Sequence, residues 1–112
     1  MSLSARNWAW DHLGWALNGV PVPFKEKLTL LCLAEHESAE YGYSFPSHER
    51  IADRTGQSTR TVQTHIRTLA ERGAITVTKR KRQNGQYLRN VYYLDVPESY
   101  RENDPEWVRL QG

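Results

Sequence analysis

The chain has 112 residues, a formal net charge of +2 and one cysteine. This length fits one domain with a real core, but it leaves little room for an enclosed catalytic cavity. A single cysteine excludes an internal disulfide framework, and no apolar run approaches the ~20 residues that cross a bilayer, so the sequence predicts a cytoplasmic protein without a membrane partner.

The first predicted helix covers residues 4–18 and is rich in aromatic side chains. Trp8 and Trp15 lie on one stripe of this helix and Trp10 lies on another. An apolar surface this wide needs cover on more than one side. Two interpretations remain open: these three tryptophans form a homodimer interface, or the helix packs within the domain against residues 24–37 and the C-terminal tail.

The second predicted helix runs from about Phe24 to Glu37, after a break at the "VPVP" run. Its inner side is predicted to consist of Leu28, Leu31, Cys32 and Glu35, widened by Leu30, Leu33 and Ala34. Residues 38–47 read as a loop with a short extended piece at Tyr43–Phe45. Three acids at this end of the helix, Glu35, Glu37 and Glu40, are interpreted as a solvated cluster.

Two short helices with a tight turn between them are predicted next. Ser47 is the expected N-cap of a helix over about 47–54, Gly56 ends it in a left-handed conformation, and Ser58 caps the following helix. The buried stripe of that second helix is spaced i, i+4, i+7, and consists of Val62, Ile66 and Leu69. Gly73 is expected to end it.

A β-hairpin is predicted over residues 74–96. Asn84-Gly85 is a strong two-residue hairpin signal. A turn at that place sets Ile75 opposite Leu94 and Val77 opposite Tyr92, which puts four apolar residues on one face. The turn and the apolar alternation therefore predict the same register.

The C-terminal tail is predicted to end in a short helix. Asp104 is the expected N-cap, Pro105 the first helical residue, and Trp107 and Leu110 lie on the helix. The sequence indicates no cofactor and no metal site, because Cys32 and His36 are a helical pair without an obvious third ligand. It also lacks a phosphate loop, a dinucleotide fingerprint and a nucleophile elbow, so it predicts no enzyme.

Residues 49–80, "ERIADRTGQSTRTVQTHIRTLAERGAITVTKR", resemble a winged helix-turn-helix DNA-binding domain of bacterial, phage and plasmid regulators and replication initiators. The spacing that carries the resemblance is that of Ala52, Gly56, Ser58, Val62 and Ile66. The resemblance covers roughly residues 24–96. It implies a mainly α fold with a small β-hairpin (an α+β fold), in which helices pack on a two- to three-stranded antiparallel sheet.

The chain therefore divides into three predicted parts. Residues 1–20 form the aromatic helix, residues 21–96 the winged helix-turn-helix domain, and residues 97–112 the tail. The family resemblance also indicates a bacterial, phage or plasmid context and a nucleoid-associated location.

Charge is concentrated in one segment. From Arg54 to Tyr92 there are nine basic residues and one acid, a net charge of +8, while the rest of the chain carries −6. A clustered positive field attracts a polyanion. The residues predicted to contact double-stranded DNA are Ser47, Ser58, Thr59, Arg60, Thr61, Gln63, Thr64, Arg67, Lys79, Arg80, Lys81, Arg82 and Arg89.

Within this set, Arg60 and Gln63 are assigned to base edges, because Arg pairs with guanine and Gln with adenine through two hydrogen bonds. The resemblance implies that the basic hairpin tip, residues 78–89, is a wing on the DNA backbone or in the minor groove. A neutral solvated helix face and a charge-protected edge strand are the plainer alternatives. The predicted function is sequence-specific DNA binding by a homodimer, as a transcriptional regulator or a replication or partition protein.

Two further functions stay open: a protein-interaction module that keeps the winged fold, and a domain that binds RNA or a non-B duplex. The sequence does not indicate whether a small-molecule effector exists.

Overall fold

The computed structural model describes residues 2–12, 22–81, 84 and 87–112. Its elements in chain order are α1 (Leu3–His12), α2 (Phe24–Glu35), α3 (His48–Thr55), α4 (Thr59–Glu71), β1 (Ile75–Lys81), β2 (Tyr87–Leu94), α5 (Glu98–Arg101) and α6 (Pro105–Gln111). The fold is mostly helical with a small antiparallel sheet, which confirms the predicted fold class.

The turn between α3 and α4 has the predicted local chemistry. The Ser47 hydroxyl accepts a hydrogen bond from the Arg50 N–H at 3.1 Å, and the Ser58 hydroxyl accepts one from the Thr61 N–H at 3.1 Å. Gly56 lies between the two helices with φ 69°, in the left-handed region. A side chain at this backbone conformation would be strained, so glycine is the residue that allows the chain to turn here.

The hydrophobic core lies where α2, α3 and α4 meet the sheet. Leu33, Ile51, Val62 and Leu69 are fully buried, and Ile66 is 7% exposed. The stripe predicted for α4 is therefore confirmed. The sheet covers the core with one face, to which it contributes Ile75, Tyr92 and Leu94.

The predicted inner side of α2 is only partly right. Leu30 and Leu33 are fully buried, whereas Leu28 and Leu31 are half-buried and Glu35 is exposed. The sequence pattern was misleading because Thr29, a polar residue, is fully buried in the centre of this side. Its hydroxyl is hydrogen-bonded there, which removes most of the cost of burying it.

The hairpin register is confirmed through most of its length and wrong near the tip. Ile75 pairs with Leu94 and Val77 with Tyr92, but Lys81 pairs with Tyr87, one residue away from the predicted partner. The pairing shifts between Lys79 and Lys81, because one residue of β1 is opposite two residues of β2, as in a β-bulge. Gly85 of the predicted turn lies outside the described residues.

A third, very short strand is added by Ser44. Its N–H and C=O bond to the C=O and N–H of Tyr92 at 2.9 and 2.7 Å, and Ser44 also bridges to Glu37. The predicted extended piece at Tyr43–Phe45 is thus paired with the sheet at its middle residue.

A buried ionic cluster joins distant parts of the chain. The Arg101 guanidinium donates to both carboxylate oxygens of Glu37, at 2.6 and 2.9 Å, and to the Ser4 hydroxyl at 2.9 Å. Asp104 accepts from the Ser4 N–H and hydroxyl at 2.9 and 2.7 Å. We call these four residues the Glu37–Arg101 cluster. Glu37 is fully buried, so its interpretation as part of a solvated acidic group is wrong.

The tail forms the predicted helix. Asp104 also accepts a hydrogen bond from the Trp107 N–H at 3.2 Å, and Pro105 is the first residue of α6. The short helix α5 was not predicted. It places Arg101 between Glu37 and the Trp107 ring, whose centroid lies 3.5 Å from the guanidinium carbon.

Candidate nucleic-acid interface

Helix α4 has one buried side and one polar, exposed side. Five of the residues predicted to contact DNA are exposed on it: Thr59, Arg60, Gln63, Thr64 and Arg67. Thr61 is half-buried. The burial of Val62, Ile66 and Leu69 fixes the rotation of the helix, so this polar face is turned away from the core.

Three threonine hydroxyls on α4, those of Thr61, Thr64 and Thr68, already have partners in the helix or its cap. Thr64 donates to the carbonyl of Arg60 at 3.1 Å, and Thr68 donates to the carbonyl of Thr64 at 3.0 Å. The Ser58 hydroxyl lies 2.9 Å from that of Thr61. A hydroxyl that donates to the helix keeps its lone pairs and its methyl group. In this conformation Thr64 can therefore accept from a base amino group or touch a thymine methyl.

The arginines of the basic segment differ in how their charge is balanced. Arg60 and Arg67 form no ion pair within the described part of the chain. Arg54 lies 3.5 Å from Glu35, and Arg72 lies 2.9 Å from the buried carboxylate of Glu26. Among these four arginines, the uncompensated positive charge therefore lies on the α4 face.

The start of α3 lies beside the polar face of α4. His48 Nδ1 and Gln63 Nε2 are 3.3 Å apart, so Gln63 and Ser47 lie in the same part of the surface. The Ser47 hydroxyl accepts from Arg50 as a helix cap and can still donate to a phosphate. The ring of His48 thus belongs to the same surface as Ser47, and the two residues were predicted from the sequence as candidate phosphate contacts at the helix start, with simple capping as the alternative.

A buried hydrogen-bond network holds α4 against α2. The Thr29 hydroxyl donates to the Lys25 carbonyl at 3.3 Å and accepts from the Gln57 amide at 2.9 Å, and it is hydrogen-bonded to His65 Nδ1 at 2.8 Å. Burial lowers the pKa of His65, which keeps the ring neutral near pH 7. Sequence periodicity did not find this network, because its three members come from α2, the turn and α4.

The basic residues of the hairpin have only partly described positions. Lys79 is exposed on β1. The backbones of Arg80 and Lys81 lie in β1 and that of Arg89 lies in β2, while Arg82 lies outside the described residues. The structure thus brings the α3 and α4 residues together and attaches the hairpin directly after α4, through Gly73 and Ala74.

Of the three tryptophans predicted to form a dimer interface, Trp8 and Trp10 do not share one exposed surface. Trp8 is 3% exposed and belongs to the core of its own chain, which confirms the packing alternative for that residue. Trp10 is 58% exposed, with Lys27 Nζ 5.2 Å from its ring centroid. Trp15 lies outside the described residues. Trp8 was assigned wrongly because α1 packs against both α2 and α5.

The described residues also bear on two other kinds of site, a membrane-spanning helix and a metal centre. Among the helices of the described residues, none is long and apolar enough to cross a membrane. Cys32 Sγ and His36 Nδ1 are 3.9 Å apart, and no third His, Cys, Asp or Glu completes a metal-binding group within the described ranges.

Comparison with protein families gives a match over this part of the chain. The family model described as a helix-turn-helix domain matches residues 24–75, from the start of α2 to the first residue of β1. No curated protein and no solved structure gives a significant match to the chain.

Proposed function

We propose that this protein binds double-stranded DNA in a sequence-specific manner. The proposal is supported by the helix-turn-helix family model that matches residues 24–75, since such domains typically bind DNA and are not enzymes. Helix α4 lies in the major groove, where a single α-helix fits and base edges are distinguishable. The observation that carries the proposal is the exposed face of α4, which presents Arg60, Gln63 and Arg67 without a carboxylate before Glu71.

The roles of the α4 residues follow from their chemistry. Arg60 and Gln63 read base edges, since each can form two hydrogen bonds to one base. Gln63 Nε2 lies beside His48, so that ring orients the carboxamide. Thr59, Thr61, Thr64 and Arg67 divide between bases and backbone, and Ser47 and Ser58 lie at helix starts where phosphates are bound.

The hairpin acts as a wing that grips the DNA backbone or the minor groove. Lys79, Arg80, Lys81, Arg82 and Arg89 surround its tip in sequence. Four consecutive basic residues exceed what protection of an edge strand requires. A narrow A·T-rich minor groove has an enhanced negative potential, which favours Arg82.

In the cell this activity suits a transcriptional regulator, or the DNA-binding part of a replication or partition protein. We assign DNA contact to residues 21–96, with residues 1–20 and 97–112 as flanking parts. We also infer a homodimer, for which Trp10 and the half-buried Leu28 and Leu31 beside it offer an apolar surface. A clean monomer in light scattering at micromolar concentration, together with one chain bound per site, would remove the dimer.

The decisive experiment selects bound sites from a random duplex library and then measures affinity across a salt series. A DNA-binding protein loses affinity with a slope of about −0.9 per neutralised phosphate. Lys81→Gln should weaken all duplexes alike and flatten the slope by about one. Arg109→Gln on α6 is the matched control, because it removes one exposed charge away from α4 and should change neither quantity.

Three results would count against the proposal. A salt-independent affinity for duplex would favour a protein-interaction module. A preference for RNA of matched sequence would favour the RNA alternative. Selection without an enriched motif would retain DNA binding but remove sequence specificity.

A further inference from the structure

We propose that an aromatic surface on the outer face of the sheet stacks the bases of single-stranded DNA beside the bound duplex. The aromatic surface consists of Tyr41, Tyr43, Phe45 and Tyr93. This inference rests on the proposed function, since it extends the same DNA-binding face beyond the double-stranded site.

The short strand at Ser44 builds the aromatic surface. Ser44 pairs with Tyr92 in antiparallel orientation, so Tyr43 is opposite Tyr93, and both lie on the face away from the core. Their ring centroids are 5.7 Å apart, and those of Tyr43 and Phe45 are 5.8 Å apart. Tyr41 stacks on Tyr43 at 5.8 Å with an interplanar angle of 22°.

Three of the four rings are exposed to solvent, and Tyr43 is half-buried. Tyr41 is 56%, Tyr93 43% and Phe45 38% exposed, whereas Val91, next to Tyr93 in alternation on the same face, is 3% exposed. The hydrophobic core lies on the other face of the hairpin and includes Tyr92, and none of the four rings belongs to it. A contiguous group of exposed aromatic rings marks a binding surface.

Positive charge lies at one end of this surface. A recess of about 340 Å³ is lined by His36, Phe45, Pro46, Ser47 and Arg50. Arg50 is exposed and forms no ion pair within the described residues. Phe45 and Arg50 together offer a ring for a base and a guanidinium for its phosphate. Glu40, next to Tyr41, makes the opposite end less favourable for a nucleic-acid strand.

The recess is continuous with the proposed duplex site. Ser47 lines it and precedes His48, whose ring lies 3.3 Å from Gln63 on α4. A strand that leaves the duplex at the start of α3 would meet Phe45 first and the tyrosines after it. A DNA strand is favoured over a protein partner because the rings adjoin the DNA face and a cationic side chain. Stacking on rings accepts any base, so no sequence preference is expected.

The test compares two probes for the full-length chain: a blunt duplex and the same duplex with a short single-stranded overhang, on either strand. Wild type should bind one overhang duplex on the order of tenfold more tightly than the blunt one. A 2-aminopurine in that overhang should lose fluorescence on binding because it stacks. Phe45→Leu should abolish both effects and leave blunt-duplex affinity unchanged, while Phe45→Trp should retain them.

Trp10→Leu is the matched control, because it removes an exposed ring on α1. Trp10 also belongs to the proposed dimer surface, so the control is read from the ratio of the affinities for the overhang and blunt probes, which should stay as in wild type. Equal affinity of wild type for the blunt and overhang probes would overturn the inference, as would a preference that survives Phe45→Leu. If Phe45→Leu instead abolishes self-association in sedimentation while the overhang has no effect, the aromatic surface contacts a second copy of the chain. Failure of the proposed function is distinguishable, because blunt-duplex binding itself would then be absent.

Discussion

Arginine has opposite roles in two regions of this molecule. On α4, Arg60 and Arg67 are exposed and have no acidic partner within the described residues. In the Glu37–Arg101 cluster, Arg101 is 6% exposed, bonded to a fully buried carboxylate and covered by the Trp107 ring. An exposed arginine keeps its hydrogen-bond donors available for a ligand, whereas a buried arginine must donate to groups of the protein itself.

The comparison shows that the position of the acids, more than the number of arginines, determines the surface field. Glu26 and Glu37 are both buried and each holds one arginine. Both acids come from the α2 region and both arginines from later in the chain. These two acids therefore neutralise Arg72 and Arg101, and the arginines of the α4 face stay uncompensated.

The largest expected effect comes from breaking the buried pair. Arg101→Met leaves the Glu37 carboxylate buried without its cation and removes the donors to Ser4, so the free energy of unfolding should fall by about 3–5 kcal/mol. Urea denaturation followed by circular dichroism measures this. The double variant Glu37→Leu/Arg101→Met should recover part of the loss, because no uncompensated charge remains. A stable Arg101→Met protein would show that the pair is dispensable.

The second effect should appear in binding and not in stability. Arg60→Ala should leave the free energy of unfolding within about 0.5 kcal/mol of wild type, since the side chain is exposed. It should reduce discrimination at one base pair by about 1–3 kcal/mol. Competition binding with single-base variants of the selected site measures this, with Arg109→Ala as control. A uniform loss across all sequences would assign Arg60 to a phosphate instead.

A smaller effect concerns pH and the network behind α4. The pKa of His65 is lowered by burial in the folded chain, so below about pH 6.5 the unfolded chain binds this proton more readily and stability falls as pH is lowered. His65→Gln keeps a hydrogen-bond partner for Thr29 but has no proton to gain. It should therefore lose less stability than wild type between pH 7.5 and 5.5, which lie about one unit above and below the ordinary histidine pKa. Equal losses for both proteins would show that the pH dependence does not come from His65.

The smallest effect is expected for the ion pair of Arg54 with Glu35, an arginine that is exposed but has an acidic partner. Arg54 and Glu35 are 3.5 Å apart, with side chains 51% and 42% exposed. Exposed pairs contribute about 0–1 kcal/mol, so Arg54→Gln should change the unfolding midpoint little, and less at high salt. A loss comparable to that of Arg101→Met would mean that solvent exposure does not separate the two kinds of arginine.

Local signals in the sequence predicted the helix-turn-helix well. Ser47, Gly56 and Ser58 act through neighbours within three or four residues, so their roles can be read without tertiary information. The hairpin register followed from the Asn84-Gly85 turn together with apolar alternation, and it held as far as Lys79. The pairing shift beyond that point has no compositional signal here.

The same reasoning could not predict polar contacts between residues that are far apart in the chain. Asp104 was predicted correctly as a helix cap, but it also binds Ser4, 100 residues earlier in the chain. Glu37 was read as solvated because burial of a carboxylate depends on a partner 64 residues away. In each case the sequence shows a polar residue, and only the fold shows which distant group satisfies it. Thr29 was missed for the same reason.

The pairing shift between Lys79 and Lys81 has a consequence for protein engineering. Because the irregularity separates the packed base of the hairpin from its tip, the base keeps its own alternation whatever the length of the tip. We therefore expect that the part of the hairpin beyond Lys79 can be replaced by the tips of other hairpins, and that Ile75 and Tyr92 would keep their packing.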